Sequence, residues 1–205
     1  MDGTIVRSDL GITKGVQKSL EHFGIYEELD DLKKFVGPPM VESYTNLYGF
    51  SLEQYKEALD VFHDYYRSVG IFECELYEGI EEMLNSLSKE YKLYVATSKP
   101  EREAKRVIEH FGLDKYFTFV GGSDGDFNTK RATKTAVIEY VLETNKIMDR
   151  SFAIMVGDKS HDIVGAGNAG LKSIGVLYGY GGLEEFEGAN YIVRNVEDLR
   201  DMFLC

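Results

Sequence analysis

Two acidic residues, Asp158 and Asp162, lie four positions apart in the segment Val156-Gly-Asp-Lys-Ser-His-Asp162. If a helix begins near residue 159, both carboxylates lie on the same side of its first turn, beside the end of the preceding apolar run. Paired carboxylates there suit Mg²⁺, which takes one or two protein carboxylates together with waters and substrate oxygens. The spacing is equally compatible with a simpler role, in which Asp158 only caps the helix.

Polar residues also follow other apolar runs of the chain. Ligands of open parallel sheets bind beyond the carboxyl ends of the strands, so these residues are candidates for the same site. They are Thr97 and Ser98 at the end of the run 92–97, Ser123 and Asp124 after the run 116–120, and Asp2-Gly3-Thr4 if a strand precedes it.

Lys134 lies at the start of a segment with helical character, 131–146. A cation in the first turn of a helix opposes the helix dipole, which is a small cost without an evident structural benefit. This position therefore favours a functional lysine, although a solvent-exposed side chain is the plain alternative. Lys130 and Arg131 are close alternatives for the same role.

Two further patterns resemble ligand-binding loops without matching them. Asp124-Gly-Asp126-Phe-Asn128 imitates the start of a calcium loop, but Thr129 stands where glycine is required and Thr135 where glutamate is required. Calcium is therefore rejected. Gly179-Tyr-Gly-Gly182 does not match a dinucleotide or phosphate loop, and we interpret it as a flexible turn.

The elements that must position these residues alternate along the second half of the chain. Short apolar runs at 92–97, 116–120, 152–156 and 173–177 predict strands, and the segments between them at 100–112, 131–146 and 159–170 predict helices. A short strand at 191–193 and a helix at about 196–204 complete the pattern. This alternation predicts an α/β fold, a Rossmann-like parallel sheet with helices on both faces.

The region from about 10 to 90 has a different pattern. In 51–69, apolar residues recur at helical spacing and give one broad face that includes several tyrosines, which we interpret as a packing surface between helices. Gly37-Pro38-Pro39 interrupts the helical pattern and predicts a loop. We therefore expect a helical insert at 10–77, inside a core formed by 1–9 and 78–205.

Composition limits the kinds of partner. The chain has 205 residues, 43% of them hydrophobic, and a net charge of -12, which argues against nucleic acid and anionic membranes as partners. Cys74 and Cys205 have no paired spacing, so neither a disulfide framework nor a thiolate zinc site is expected. The sequence contains no apolar run long enough to span a membrane and no signal-peptide pattern. These features predict a soluble, cytoplasmic protein.

Four motifs taken together resemble those of haloacid dehalogenase-like phosphatases. In chain order they are Met1-Asp2-Gly3-Thr4-Ile5, Val-Ala-Thr97-Ser-Lys-Pro100, Lys134, and Val-Gly157-Asp158-Lys-Ser-His-Asp162. The helical insert after the first motif is similar to the cap of the phosphoglycolate phosphatase and β-phosphoglucomutase branch. The resemblance covers essentially the whole chain.

This resemblance implies a two-step phosphoryl transfer through an aspartyl-phosphate, with Mg²⁺ as cofactor. Asp2 would act as general acid and base, and Asp2, Asp158 and Asp162 would hold or support the metal. Gly3, Thr97, Ser98 and Lys134 would bind the phosphoryl group, with Thr97 and Lys134 also counted as catalytic. The cap would open and close over the site through hinges near Arg7–Ile12 and Ile71–Glu78.

The resemblance also implies an attacking aspartate two positions before Asp2, which is not among the 205 residues. In the family, the strand that carries this aspartate lies in the middle of the sheet. Without it we expect unpaired backbone and an apolar slot, at roughly 1–3 kcal/mol for each buried unpaired amide. We consider three explanations: the chain starts at an internal methionine of a longer protein, another segment replaces the strand, or the protein is a nonenzymatic remnant. The first is preferred, and negligible phosphatase turnover is expected for residues 1–205 alone.

The expected substrate is a small phosphorylated metabolite, either phosphoglycolate-like or a nucleotide monophosphate. A phosphomutase is one alternative, and a catalytically silent binding or regulatory protein of the same fold is another. The sequence leaves open whether the protein is a monomer or a homodimer.

Overall fold

Strands and helices alternate through the second half of the chain in a computed structural model, which describes residues 1–37, 40–125 and 130–204. The strands are β1 Val6–Arg7, β2 Glu75–Leu76, β3 Leu93–Pro100, β4 Phe117–Ser123, β5 Ile154–Gly157, β6 Lys172–Val176 and β7 Tyr191–Val193. The helices are α1 Asp9–His22, α2 Met40–Tyr48, α3 Leu52–Tyr66, α4 Ile80–Leu87, α5 Glu101–His110, α6 Lys134–Thr144, α7 Ser160–Asn168 and α8 Val196–Leu204. The predicted α/β class is confirmed.

The chain forms two units, one of Met1–Val6 and Leu76–Cys205 and the other of Arg7–Glu75. The division expected from the sequence, a core of 1–9 with 78–205 and a helical insert of 10–77, stays a prediction. The role of the second unit as a cap, and the hinges assigned to it, remain predictions. In the described part of the chain, no helix is both long and apolar enough to cross a membrane.

The larger unit contains two separate blocks of parallel strands. In one block β3 pairs with β4, with Thr97 opposite Gly122. In the other, β5 pairs with β6 and β6 with β7, and Gly157 lies opposite Gly175. Among the described strands, β3 and β5 are therefore each paired on one side only. The sheet is interrupted between them.

Helix boundaries in this unit follow local signals in the sequence. Helix α5 begins directly after Pro100, where the fixed backbone of proline suits the start of a helix. Helix α6 begins at Lys134 because the Thr133 side chain accepts a hydrogen bond from the amide of Ala136 and caps the first turn. Its residues Ile138 and Leu142 pack with Ala169 in a buried cluster. The predicted starts of both helices are correct to within a few residues.

The smaller unit is helical, and its core is rich in aromatic rings. Tyr44 is fully buried, packs against the rings of Phe35, Phe50 and Tyr55, and shares a hydrogen bond with the hydroxyl of Ser19. The apolar face of α3 is buried as expected at Tyr55, Ala58, Leu59, Phe62 and Tyr66. Leu52, an apolar residue of the same segment 51–69, is 64% exposed because it is the first residue of the helix. Pro38 and Pro39 of the expected loop lie outside the described residues.

Candidate active site

Lys134 is directed toward the ends of β3 and β5. Its Nζ lies 2.8 Å from Oδ1 of Asp162 and donates to the carbonyl of Ala96 in β3 at 3.4 Å. The side chain is only 11% exposed, so the plain alternative of a solvent-exposed lysine is wrong. Arg131 instead lies 3.2 Å from Glu101, also pairs with Asp124, and its guanidinium covers the ring of Tyr140. Of the candidate cations, Lys134 is the one that the structure connects to the acidic pair.

Asp162 holds both Lys134 and the start of α7. Its Oδ2 accepts hydrogen bonds from the amides of Asp158 at 3.1 Å and Lys159 at 3.2 Å. Burial acts to raise the pKa of Asp162, but that pKa is lowered, and the ammonium of Lys134 is the largest opposing cause. The helix is therefore capped by Asp162, and the alternative that Asp158 only caps it is wrong. Both oxygens of Asp162 are engaged within the protein.

Asp158 is buried in a different environment. Its Oδ1 accepts a hydrogen bond from the hydroxyl of Thr4 and its Oδ2 from the amide of Tyr180, both at 3.1 Å. Burial raises the pKa of Asp158, and the nearby carboxylate of Asp162 adds to this rise. A carboxylate whose charged form is disfavoured by burial gains most from an added cation.

Glycines surround Asp158 so closely that side chains could not replace them. A Cβ built on Gly3, which has a φ of +73°, would lie 2.0 Å from Oδ2 of Asp158. A Cβ on Gly179 would lie 2.3 Å from the Cβ of Asp158, and one on Gly181 would lie 1.9 Å from its carbonyl oxygen. The segment expected to be only a flexible turn, Gly179–Gly182, therefore packs against Asp158 and supplies the Tyr180 amide.

Asp2 is paired with a lysine that the sequence reasoning missed. The Nζ of Lys99 lies 3.3 Å from Oδ1 of Asp2, and the Lys99 side chain is 7% exposed. The amide of Lys99 donates to Oγ1 of Thr97 at 3.2 Å, and Thr97 is buried, whereas Ser98 is exposed. The sequence did contain a signal for this role of Lys99, because Lys99 lies two residues after Thr97 and belongs to the same strand.

The predicted site residues form one connected cluster. Lys99 links Asp2 to Thr97, and the adjacent residue Ala96 binds Lys134. Lys134 binds Asp162, whose carboxylate holds the Asp158 amide, and Asp158 binds Thr4. The structure thus brings Asp2, Thr97, Lys134 and Asp158 to one end of strands β3 and β5.

The fit of a metal to this cluster depends mainly on Asp158. Within the described residues, no group of three or more histidine, cysteine, aspartate or glutamate side chains is arranged to hold a metal ion. The set Asp2, Asp158 and Asp162 therefore remains a prediction. Asp158 fits Mg²⁺ because it is a buried carboxylate held by a hydroxyl and a main-chain amide, and Mg²⁺ needs few protein carboxylates.

Comparison with known proteins shows the family to which this chain is similar. A model of the family described as haloacid dehalogenase-like hydrolase matches residues 1–176. A 5'-nucleotidase of Pseudomonas aeruginosa is 35% identical over 187 residues, which cover 90% of this chain and 83% of that protein. A phosphoglycolate phosphatase of Vibrio vulnificus is 29% identical over 172 residues, which cover 82% and 74% respectively.

A solved structure agrees with the sequence relatives. A crystal structure described as a predicted phosphatase from Clostridium acetobutylicum superimposes with a TM-score of 0.92 at 43% identity, covering 100% of this chain and 95% of that one. The chain belongs to the haloacid dehalogenase-like hydrolases. At the level of enzyme class, the prediction of a phosphoric monoester hydrolase is confirmed.

Proposed function

We propose that this protein is a Mg²⁺-dependent phosphatase that hydrolyses a small phosphorylated metabolite through an aspartyl-phosphate. A nucleotide monophosphate and a phosphoglycolate-like compound are the leading substrates, supported by the names of the two relatives. The observation that carries the proposal is the cluster linking Asp2, Lys99, Thr97, Lys134 and Asp158. The attacking aspartate would lie outside residues 1–205, so the proposal concerns the protein with that residue in place.

Lys134 and Thr97 are the groups proposed to bind the phosphoryl oxygens. Phosphoryl transfer depends chiefly on positioning and on fixed positive charge, and Lys134 is a nearly buried ammonium held in place by Asp162. The hydroxyl of Thr97 is buried at the end of the same strand. Because Asp162 fixes Lys134, little reorganisation of this charge is needed when the substrate arrives.

Asp2 is proposed to move the proton in both steps. In the first step an aspartate oxygen attacks phosphorus, the bond from phosphorus to the substrate oxygen breaks, and Asp2 gives its proton to the leaving alkoxide. In the second step Asp2 takes a proton from water, the water oxygen attacks phosphorus, and the aspartate is released with phosphate. Lys99, 3.3 Å from Asp2, is proposed to position this carboxyl group.

Mg²⁺ would be held by Asp158, with the main-chain carbonyl of Asp2 and the attacking aspartate completing its protein ligands. When bound, it would neutralise the phosphoryl oxygens that otherwise repel an incoming carboxylate. Asp162 supports this arrangement through Lys134 and the amide of Asp158. We also propose a cytoplasmic location, supported by the low cysteine content of 2 in 205 residues.

The proposal is tested by phosphate release from a panel of phosphorylated metabolites. The enzyme would be a fused protein in which a short apolar strand ending in aspartate is joined to Met1, and residues 1–205 alone would serve as the reference. We expect Mg²⁺-dependent release only from the fused protein, and at least a roughly 100-fold loss on Asp158→Asn. Asp149→Asn, which changes an exposed carboxylate bound to Ser151, is the matched control and should leave activity unchanged.

Other results would contradict the proposal in different ways. Mg²⁺-dependent turnover by residues 1–205 alone would remove the need for the additional aspartate. Activity of the fused protein that survives Asp158→Asn would exclude Asp158 as a metal ligand. Accumulation of a bisphosphorylated intermediate instead of free phosphate would favour the phosphomutase, and a folded but inactive fused protein would favour the silent binding protein.

A further inference from the structure

The segment that follows β6 is fixed to the sheet by a buried phenylalanine. A 3-10 turn, Leu183–Phe186, lies directly after the glycine-rich residues 179–182, and Phe186 at its end is 3% exposed. A Cβ built on Gly175 of β6 would lie 2.5 Å from Cγ of the Phe186 ring, so the ring packs directly onto the strand. The turn is therefore held on the block of strands that contains β5, which ends just before Asp158.

Glu185, in the same turn, is directed toward the start of α7. Its Oε1 lies 2.8 Å from Nζ of Lys159, and its Oε2 accepts a hydrogen bond from the amide of Ser160 at 2.9 Å. Both oxygens of this carboxylate are therefore bound to the two residues that follow Asp158 in the chain. A carboxylate at a first-turn amide also interacts favourably with the helix dipole, so these contacts hold the start of α7 against the turn.

Lys159 extends this contact to the glycine-rich segment. Its Nζ also donates to the carbonyl of Tyr180 at 3.5 Å, and the amide of Tyr180 donates to Oδ2 of Asp158 at 3.1 Å. The side chains of Lys159 and Glu185 are only 21% and 24% exposed, so their ion pair is largely shielded from solvent. A chain of contacts thus runs from Glu185 through Lys159 and Tyr180 to the carboxylate that is proposed to hold Mg²⁺.

The main chain of the glycine-rich segment runs close to both acidic residues. A Cβ built on Gly181 would lie 1.9 Å from the carbonyl oxygen of Asp158 and 3.4 Å from Cγ of Glu185. The next residue, Gly182, accepts a hydrogen bond from the amide of Glu185 at 3.0 Å. The position of Glu185 is therefore linked to the position of this backbone, and through the Tyr180 amide to the orientation of the Asp158 carboxylate.

We propose that Glu185 is a positioning residue for Asp158, because it fixes Lys159 and thereby the Tyr180 amide that orients the Asp158 carboxylate. The inference rests on the proposed function, in which Asp158 holds Mg²⁺. Residues that orient a metal ligand without touching the metal commonly change metal affinity by about 10- to 100-fold when they are replaced. Glu185 acts in this way, and it contacts neither the substrate nor the metal.

Glu185→Gln is the test variant, because it removes the charge that holds Lys159 and keeps the size of the side chain. The first readout is hydrogen exchange of single amides by NMR, in the 205-residue protein without divalent metal. We expect the Tyr180 amide to exchange at least about tenfold faster in the variant, because its hydrogen bond to Asp158 opens more often. Glu184→Gln changes the adjacent exposed carboxylate and should leave this rate unchanged. If the Tyr180 rate rises no more than the rates of the β6 amides, the change is a general loss of stability and the proposal is overturned.

The second readout is the Mg²⁺ dependence of phosphate release by the fused protein that tests the proposed function. We expect Glu185→Gln to raise the Mg²⁺ concentration for half-maximal rate about tenfold, with the rate at saturating Mg²⁺ within about twofold of the parent. A residue that only stabilised the fold would change the amount of active protein, and hence the maximal rate, but not the half-saturating concentration.

Lys159→Gln distinguishes positioning from a simple effect of charge. If Glu185 acted only as a negative charge that attracts Mg²⁺, loss of the positive charge of Lys159 would lower the half-saturating Mg²⁺ concentration. Positioning predicts that Lys159→Gln raises it, and that the double variant is no worse than the more affected single variant, because the two residues act as a pair. A lowered concentration for Lys159→Gln, or additive effects in the double variant, would overturn the proposed route through Lys159.

The two readouts separate this proposal from the proposed function. Phosphate release by the fused parent protein, with an unchanged half-saturating Mg²⁺ concentration in Glu185→Gln, would overturn the role of Glu185 and leave the proposed function intact. A fused parent protein that releases no phosphate counts against the proposed function. The exchange rate of the Tyr180 amide, which requires neither metal nor turnover, then decides whether Glu185 positions the contact with Asp158.

Discussion

The Nζ of Lys134 lies 2.8 Å from Oδ1 of Asp162, and both side chains are almost completely buried. The pair joins the first residue of α6 to the first turn of α7, and through the Ala96 carbonyl it also reaches β3. Lys134 therefore connects three elements that are distant in sequence, α7 through the ion pair and β3 through a hydrogen bond.

Removing one partner of this pair should destabilise the fold. Lys134→Met leaves the buried carboxylate of Asp162 without its cation, and we expect a loss of about 3–5 kcal/mol in the free energy of unfolding. Urea denaturation measures this change. Lys115→Met is the matched control, because Lys115 and Glu81 form an exposed pair, and it should have only a small effect. A loss for Lys134→Met no larger than for the control would show that the buried pair does not stabilise the fold.

The buried carboxylate of Asp158 should be costly for the fold itself. The amide introduced by Asp158→Asn could still accept from the Tyr180 amide and donate to Thr4, while the desolvated charge and its repulsion with Asp162 are removed. We expect this substitution to raise the free energy of unfolding by about 1 kcal/mol in the absence of divalent metal. Urea denaturation of both proteins in EDTA checks this, and a clear loss of stability would contradict it.

Gly3→Ala should destabilise the fold more than Gly24→Ala, although the two glycines have nearly the same φ angle. Gly3 and Gly24 have φ of +73° and +74°, but a Cβ on Gly3 would lie 2.0 Å from Asp158, whereas a Cβ on Gly24 has nothing within 4 Å. Gly24→Ala should cost about 1 kcal/mol from backbone strain alone. Gly3→Ala should cost at least about 2 kcal/mol more, because Asp158 must move. If urea denaturation gives equal losses in the free energy of unfolding for Gly3→Ala and Gly24→Ala, the close packing of Gly3 against Asp158 is contradicted.

Glu185 should contribute to the free energy of unfolding at neutral pH, and this contribution should be lost at acid pH. Burial alone would raise the pKa of Glu185, but Lys159 at 2.8 Å and the amide of Ser160 at 2.9 Å lower it from 4.5 to about 2. Since the folded-state pKa is depressed, this contribution is present above pH 4.5 and is lost as the pH falls toward 2.

Glu185→Gln should therefore be less stable than the parent protein at neutral pH, by about 1 kcal/mol after allowing for solvent screening. The difference should become small as the pH falls toward the folded-state pKa of about 2, which urea denaturation at several pH values can measure. Glu184→Gln changes the neighbouring exposed carboxylate and is the control. A difference between Glu185→Gln and the parent that is independent of pH would contradict the assignment.

The elements of the core could be predicted because local signals fixed them. Pro100 and Thr133 mark the starts of α5 and α6, and apolar runs mark each of the strands β3 to β6. The role of Asp162 could not be derived, because it depends on an ion pair with Lys134, which is distant in sequence. Spacing placed Asp158 and Asp162 together but could not say which of them would cap the helix.

Other parts of the site could not be anticipated because they depend on long-range contacts. Lys99 was missed because the expected strand ended at Thr97, whereas β3 continues to Pro100 and carries the lysine. The Tyr180 amide reaches Asp158 from a segment that sequence alone described only as glycine-rich. The interruption of the sheet was expected from the family resemblance, and the separation of β3 from β5 agrees with that expectation.

The hydrogen bond between Thr4 and Asp158 joins residues 154 positions apart, which has a consequence for synthesis of the protein. At ordinary rates of translation, roughly 8 to 30 s pass between the emergence of the two residues from the ribosome. During that time Thr4 cannot make its final contact, because Asp158 has not yet been synthesised. The contact between Thr4 and Asp158 in the candidate site is therefore formed late, after most of the nascent chain has been made.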